Sequence, residues 1–300
     1  MTETSTLITG SATPDRFSAD DKRRALQPVR SIVKHVVLIL GALLMLYPVL
    51  WMVASSLRPN DAIFGDPTII LKTFQIDNFT NGWNALTQPF GHYLLNSMIV
   101  VLGCIFGNLV SCSMAAYAFA RLNFRGKRWW FGIMLVTIMI PIHVIIVPQY
   151  IMFSQIGWVN TFLPLIVPKL LATDAFFVFL MVQFMRGIPR ELDEAARIDG
   201  AGHVRIFVQI ILPLMVPALG TTTIFTFIWT WNDFFSQLIY LTKPENYTAS
   251  LALRAFVDAQ SATNWGAVFA MSVISLLPVF LVFLFGQRFL LQGIATTGGK

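Results

Sequence analysis

With 56% hydrophobic and only 12% charged side chains over 300 residues, the chain has too little polar surface to close a soluble globule of its size, and lipid is the solvent its composition fits. Its net charge of +6 does not indicate a nucleic-acid partner, because Lys and Arg gather in short segments beside apolar runs instead of lining one amphipathic face. Cys104 and Cys112 share one apolar run, lack CxxC or metal-ligand spacing, and read as small buried residues.

In chain order, residues 1–33 come first as a polar segment carrying Asp15, Asp20, Asp21, Lys22, Arg23 and Arg24. It lacks the apolar core of a secretory signal and is expected to stay as an uncleaved cytoplasmic tail. Uncharged intervals follow at 35–57, 129–168, 214–232 and 259–287, each able to hold an apolar helix of about 20 residues, the length that crosses the hydrocarbon core. Splitting the apolar runs at polar and proline-rich interruptions gives six spans, roughly 34–56, 93–120, 129–153, 163–185, 214–240 and 266–288. All must be helical, since lipid offers the backbone no hydrogen-bond partner. The 129–168 interval as one helix would stretch about 60 Å, so it is divided at Gly157, Asn160 and Thr161. The expected fold class is an all-α membrane protein, with residues 34–300 as one six-helix transmembrane domain.

The second span places Gly103, Gly107, Ser111 and Ala115 at intervals of four, a small-residue stripe that lets backbones approach closely in lipid. Pro48, Pro141, Pro148 and Pro278 lie in or near spans, where kinks are tolerated if neighbours satisfy the freed carbonyls. In the fourth span Lys169 and Asp174 are about 140 degrees out of phase on a continuous helix and make no simple pair; Lys169 is expected to snorkel outward. In the fifth, Trp229, Asn232, Asp233 and Ser236 fall on one helical face. An aromatic plate beside hydrogen-bonding groups suits a sugar, and a carboxylate in this setting needs a cavity, a partner or the outer interface. Asp174 is a further candidate for the solute path. Arg121, Gln287 and Arg288 read as inner-face anchors, and His35, His92, His143 and His203 are too scattered for a metal site.

The segment 186–213 is the longest internal loop on the basic side. It reads as two short helices, with Pro189 at an entry position, Glu191, Asp193 and Glu194 in the early turns, Gly200 or Gly202 as the stop, and a second piece from about His203 to Ile211 ending at Pro213. Glu194-Ala195-Ala196, then Gly200, then Ile210-Ile211-Leu212-Pro213 closely resembles the signature loop of ABC-importer permeases, E-A-A, three residues, Gly, nine residues, I-x-L-P. Tyr47-Pro48, Ser56 to Pro59, Asn96-Ser97, Ala116 to Arg121, Ile198 to Ala201, Trp231 to Phe234, Gln287-Arg288 and Gly298-Gly299-Lys300 look like the carbohydrate-uptake branch, similar to the second membrane subunit of the maltose system. The resemblance spans about residues 34–300. It implies a type I ABC-importer permease fold, and a complex with a second, different permease, an ATPase dimer and an extracytoplasmic sugar-binding protein in the bacterial inner membrane. It also implies that Glu191, Glu194, Ala195, Ala196, Asp199, Gly200 and Pro213 form the ATPase-coupling element, the carboxylates pairing with basic groups while the alanines permit close approach.

The chain has no G-x-x-x-x-G-K-[ST], HExxH or G-x-S-x-G pattern. The expectation is therefore a non-catalytic permease that binds no cofactor of its own, with ATP and Mg2+ on the partner subunits. An ion-coupled secondary transporter using Asp174 or Asp233 is the main competing class, and it would leave the loop without a purpose; a membrane enzyme or sensor would lack a catalytic constellation.

Basic residues cluster at 16–34, 121–128 and 186–205, while the alternate segments hold only Arg58, Lys72, Lys243 and Arg254. That distribution puts both termini and the 186–213 loop in the cytoplasm. A His203→Cys variant is expected to resist a membrane-impermeant thiol reagent in intact cells and to react once membranes are opened. Labelling in intact cells reverses the assignment.

Overall fold

The computed structural model describes residues 16–65, 68–258 and 264–295, so residues 1–15 and the Gly298-Gly299-Lys300 end lie outside the described residues. Among those described, every regular element is helical. The chain divides into two units, the first ending at Met52 and the second beginning at Val53. The first is the body of α1 (Arg16–Ser56), a helix that starts within the polar segment and continues into the first span. The part of it from Ser31 to Ser56 has the length and composition of a membrane span.

The second unit opens with two short helices, α2 (Asn60–Ile63) and α3 (Asp77–Trp83), followed by α4 (Phe90–Arg121), an unbroken helix of 32 residues. Next come α5 (Lys127–Thr137), α6 (Ile142–Gln155), α7 (Leu163–Ile166), a 3-10 segment Val167–Leu171 and α8 (Ala175–Arg186). The loop contains α9 (Glu191–Ile198), α10 (His203–Ile206), a π segment Phe207–Ile211 and α11 (Leu212–Leu214). The chain then forms α12 (Val216–Asn232), α13 (Phe235–Tyr240), α14 (Ala249–Asp258) and α15 (Trp265–Ala295). Ser31–Ser56, Phe90–Arg121, Leu163–Arg186 and Trp265–Phe289 are each long and apolar enough to cross a membrane, and the number is six when each of two bent pairs is counted as one span.

Three expected spans are not the straight helices the apolar runs suggested. The third is broken between α5 and α6 by a 98° bend. Met139 and Ile140 close tight turns onto Val136 and Thr137, and Pro141 follows in extended conformation with ψ 136. Proline cannot donate to the preceding turn and disfavours helix in the residue before it. Pro148 and Pro278 nevertheless sit inside α6 and α15. The fourth span is interrupted after the 3-10 segment, where Ala172 takes a left-handed φ of 54. The fifth, expected at 214–240, stops at Asn232 and restarts at Phe235, with Asp233 extended between them. At its entry, α10–α11 meets α12 with a 75° bend at Met215, between Pro213 and Pro217. The division expected near Gly157 is present: Gly157 and Asn160 both have positive φ, and Asn160 Oδ1 accepts from the backbone of Thr242 and Lys243.

The small-residue stripe seats the 3-10 segment against α4. A Cβ on Gly107 would lie 3.0 Å from the carbonyl carbon of Lys169 and 3.1 Å from the nitrogen of Leu170, so backbone meets backbone there. Ser111, one turn on, donates to the Lys169 carbonyl at 2.6 Å. Nearer the other end of α4, Tyr117 joins Met181, Met185, Ala196, Ile206 and Met215 in one buried cluster, which ties the loop helices to α4 and α8. Gly107→Leu is expected to lower stability by about 1–3 kcal/mol, the usual cost of overpacking. Gly132→Leu on α5, where an added Cβ meets nothing within 4 Å, is the control, and thermal unfolding in detergent distinguishes the two.

Candidate functional site

The loop presents one helix face to solvent and buries the other. In α9, Glu191, Glu194, Ala195, Arg197 and Ile198 are exposed, whereas Asp193 and Ala196 are buried. Ala196 therefore faces the chain's own core, in the cluster with Tyr117 and Met185. Ala195, turned about 100° from Ala196 around the helix, is exposed instead. The helix ends in a Schellman turn: Ala201 N–H donates to Ala196 at 2.9 Å, Gly200 N–H donates to Arg197 at 3.0 Å, and Gly200 has φ 79. Of the two candidate stop residues, Gly200 is the one that acts; the left-handed conformation costs other L-residues about 1–2 kcal/mol. Asp199, at the helix end, is exposed. Ile198 and Val204 are 87% and 78% exposed, so the turn carries an apolar tip between charged shoulders. Pro213 lies in α11, two residues beyond the π segment, just before the bend into α12.

Behind α9, Arg121 is buried rather than an inner-face anchor in contact with the membrane surface. Its guanidinium donates to the carbonyls of Met185 and Ile188 at 2.9 and 2.8 Å, and its Nε stands 3.6 Å from Asp193 Oδ2. A cavity of about 390 Å³ opens beside this contact, lined by Arg121, Leu122, Asn123, Arg190, Asp193, Glu194, Arg197 and His203. Arg288, by contrast, lies over the Phe289 ring, 4.9 Å from its centroid.

A second polar group lies within the membrane-spanning part. Lys169 Nζ donates to both carboxylate oxygens of Asp174, at 2.7 and 2.9 Å. The interruption at Ala172 removes the helical phase difference that would separate them, so Lys169 pairs instead of snorkelling outward. Asn108 of α4 donates to Asp174 Oδ2 at 2.7 Å and to Thr226 Oγ1 at 3.2 Å, joining α4, the start of α8 and α12. Asp174 is twelve residues before Arg186, about 18 Å along a helix and so well inside the hydrocarbon core if Arg186 marks its edge. The ion pair is 24–30% exposed at its side chains, and a charge at that depth requires a solvated space or a partner beside it.

The solute-path candidates of the fifth span separate into two groups. Trp229 is half exposed and its ring lies 5.3 Å from those of both Phe176 and Phe177, just after Asp174. Asn232 ends α12 within a turn of Trp229, but Asp233 and Ser236 do not continue that face, because the helix stops after Asn232. Asn232 donates to the Ile228 carbonyl, and Asp233 Oδ1 accepts the Ser236 N–H at 3.1 Å, which starts α13. Gln237, which the sequence reading passed over, is 2% exposed and bridges the break: it donates to the Thr230 carbonyl at 3.0 Å and accepts from the hydroxyls of Thr248 and Ser250. Amides such as Asn108 and Gln237 inside apolar runs were the available signal, since lipid tolerates them only with partners. Among the described residues no group of His, Cys, Asp and Glu could hold a metal ion.

With this geometry in view, the family model described as "Binding-protein-dependent transport system inner membrane component" matches residues 107–295, from the middle of α4 to the end of α15. The chain belongs to that family. It is 31% identical to the diacetylchitobiose uptake system permease protein NgcG of Streptomyces coelicolor, over 85% of this chain and 84% of the relative. It is 30% identical to the trehalose/maltose transport system permease protein MalG of Thermococcus litoralis, over 88% and 96%, and 31% identical to the sn-glycerol-3-phosphate transport system permease protein UgpE of Yersinia pestis, over 91% and 98%. A bacterial ABC transporter involved in import of the acidic polysaccharide alginate shares the fold, with a TM-score of 0.77 at 23% identity over 88% of this chain and 97% of the other. The protein is thus a multi-pass inner-membrane permease of an ABC importer, and the ion-coupled alternative is set aside.

Because Lys169 and Asp174 neutralise each other, removing one strands the other. Lys169→Met or Asp174→Ala is expected to destabilise the permease by about 1–3 kcal/mol, below the 3–5 kcal/mol of a fully buried pair. The double variant Lys169→Met/Asp174→Leu recovers most of that loss, and thermal unfolding of all three in lipid nanodiscs measures the coupling.

Proposed function

We propose that this permease is one of two unlike membrane halves of an ATP-driven importer for a sugar or oligosaccharide, which an extracytoplasmic binding protein delivers. Relatives named for diacetylchitobiose and for trehalose and maltose support the carbohydrate class, and a relative named for sn-glycerol-3-phosphate shows how wide the family's solutes range. ATP and Mg2+ belong to a partner ATPase dimer in this reading, and the permease contributes motion and a path rather than chemistry. Both termini and the 186–213 loop lie on the ATPase side, in the cytoplasm.

The observation that carries the coupling role is the outward face of α9. Glu191, Glu194 and Asp199 stand exposed around Ile198 and Val204, a charged rim about an apolar tip that fits a groove on a protein partner. Gly200 directs the chain away from that tip and Pro213 returns it to α12. Nucleotide-driven closure of the ATPase would then displace the loop and the helices joined to it as a body. For the solute, Trp229 with Phe176 and Phe177 offers an aromatic plate beside the Lys169–Asp174 pair, and hydroxyl-rich rings are bound by such combinations of face and hydrogen bond. Asn232 keeps an exposed place near this plate, whereas Asp233 and Ser236 serve the path by shaping the break.

Reconstitution with the partner subunits and the binding protein tests the coupling role. Glu194→Arg and Ile198→Asp are each expected to reduce ATPase association and binding-protein-stimulated hydrolysis by tenfold or more, in line with about 2–5 kcal/mol for a lost charged contact at an interface. Full stimulated hydrolysis and full sugar uptake in both variants would refute the docking role of α9.

A further inference from the structure

We infer that Arg121 is a positioning residue for transport, fastening the coupling helix α9 to the second span α4 so that displacement of the loop reaches α4 without slack. The inference rests on the reading of α9 as the ATPase-docking element.

Arg121 is the last residue of α4 and its side chain is 2% exposed. From one guanidinium it reaches three places: the Met185 carbonyl in the last turn of α8, the Ile188 carbonyl in the connection that follows, and the Asp193 carboxylate on α9. The Met185 carbonyl belongs to a helix end, where acceptors have no partner within the helix and attract cationic donors. Asp193, with its side chain 7% exposed, is the other buried charge of this region. The exposed Arg190 and Arg197 line the same cavity but remain open to water. Among the described residues, Arg121 is the ion-pair partner of Asp193 within 4.0 Å, and Asp193 Oδ1 has no hydrogen-bond partner. The neutralisation of Asp193 therefore depends on Arg121, and separating the two would leave two charges buried and unpaired.

The cavity of about 390 Å³ makes this contact consequential. It lies between the end of α4 and the inner face of α9, so the two elements are not joined there by continuous side-chain packing. Ala196 supplies apolar contact on one side, and Arg190 adds a long hydrogen bond of 3.4 Å to the Ala120 carbonyl. Arg121 adds a charged link that these lack: one guanidinium nitrogen holds the Met185 and Ile188 carbonyls, while Nε, which has no hydrogen-bond partner among the described residues, stands 3.6 Å from Asp193 of α9, and one rigid planar fork carries both. Lysine carries the charge but lacks that fork, so it can satisfy the carboxylate or the carbonyls with less constraint on their mutual geometry.

The test uses the reconstituted complex with its binding protein, and reads sugar uptake and ATP hydrolysis in the same vesicles together with a distance between spin labels at Met114→Cys on α4 and Leu192→Cys on α9. Met114 and Leu192 are exposed, while Cys104 and Cys112 are buried. In the wild-type background the distance distribution is expected to be narrow, and equally narrow with and without trapped ATP. In Arg121→Gln and in the isosteric Asp193→Asn, the distribution broadens, the ATPase remains bound and hydrolysing, and uptake per ATP falls about tenfold. Arg121→Lys recovers part of both readouts. A wild-type ratio of uptake to hydrolysis with a narrow distribution in both variants overturns the inference, as does a lower ratio with an unchanged distribution. Glu194→Arg in the same assay separates the two readings: if it leaves ATPase association intact, the docking role fails, while the distance between α4 and α9 still reports on the fastening.

Discussion

In a solvent that cannot hydrogen-bond, each interruption of a helix leaves carbonyl and amide groups that only another part of the protein can satisfy. This permease breaks several of its helices and keeps α4 whole. Along α4, Asn96 donates to the Glu245 and Tyr247 carbonyls, Ser97 accepts the Ala249 N–H, Cys104 donates to Leu165 and Ser111 to Lys169. Asn108 holds Asp174 at the head of α8, and Arg121 caps the carbonyls at its foot. One unbroken helix thus supplies, nearly turn by turn, the polar side chains that the irregular segments around it need.

That division of labour links fold and transport. A broken span can change its path only if its freed groups keep their partners, and α4 holds those partners at fixed heights. The segments that it stabilises are those that carry function in the proposed mechanism: the 3-10 turn with Lys169 and Asp174, the aromatic group around Trp229, and the loop helices. Gln237 plays the same part for the gap between α12 and α13, binding Thr230 on one side and Thr248 and Ser250 on the other. Apolar packing then fills in around these polar contacts, as in the cluster from Tyr117 to Met215.

The sequence was most legible where a residue type has few conformational alternatives. Gly200 and Gly157 take the positive φ that their placement called for, and the spacing from Glu194 to Pro213 does mark two helical pieces and a turn. It was least legible where a helix stops without glycine or proline. Nothing local in Leu171-Ala172-Thr173-Asp174 announces a left-handed alanine; the stop is imposed by the Ser111 hydroxyl and by the ion pair it permits. The gap at Asp233 is likewise held by Gln237 and by residues of the next segment, so helical phase carried past Asn232 placed Ser236 on a face that does not exist. Four prolines in or near apolar runs looked alike, yet Pro141 stands at the start of α6 after a break, while Pro48, Pro148 and Pro278 lie inside their helices. Arg121 was legible as a basic residue at a span's inner end, but its burial depends on the foot of α8 and on Asp193, both more than sixty residues away.

The π segment at Phe207–Ile211 bears on how this loop can vary in length. A π turn holds one residue more than the α turn it replaces, so deleting a single residue there allows the segment to close as α-helix with both flanks facing as before. A deletion within α9 or α12 would instead rotate everything on one side of it by about 100°. The interval between Gly200 and Pro213 therefore contains one place where a single residue can be lost without turning the docking face away from the spans it serves.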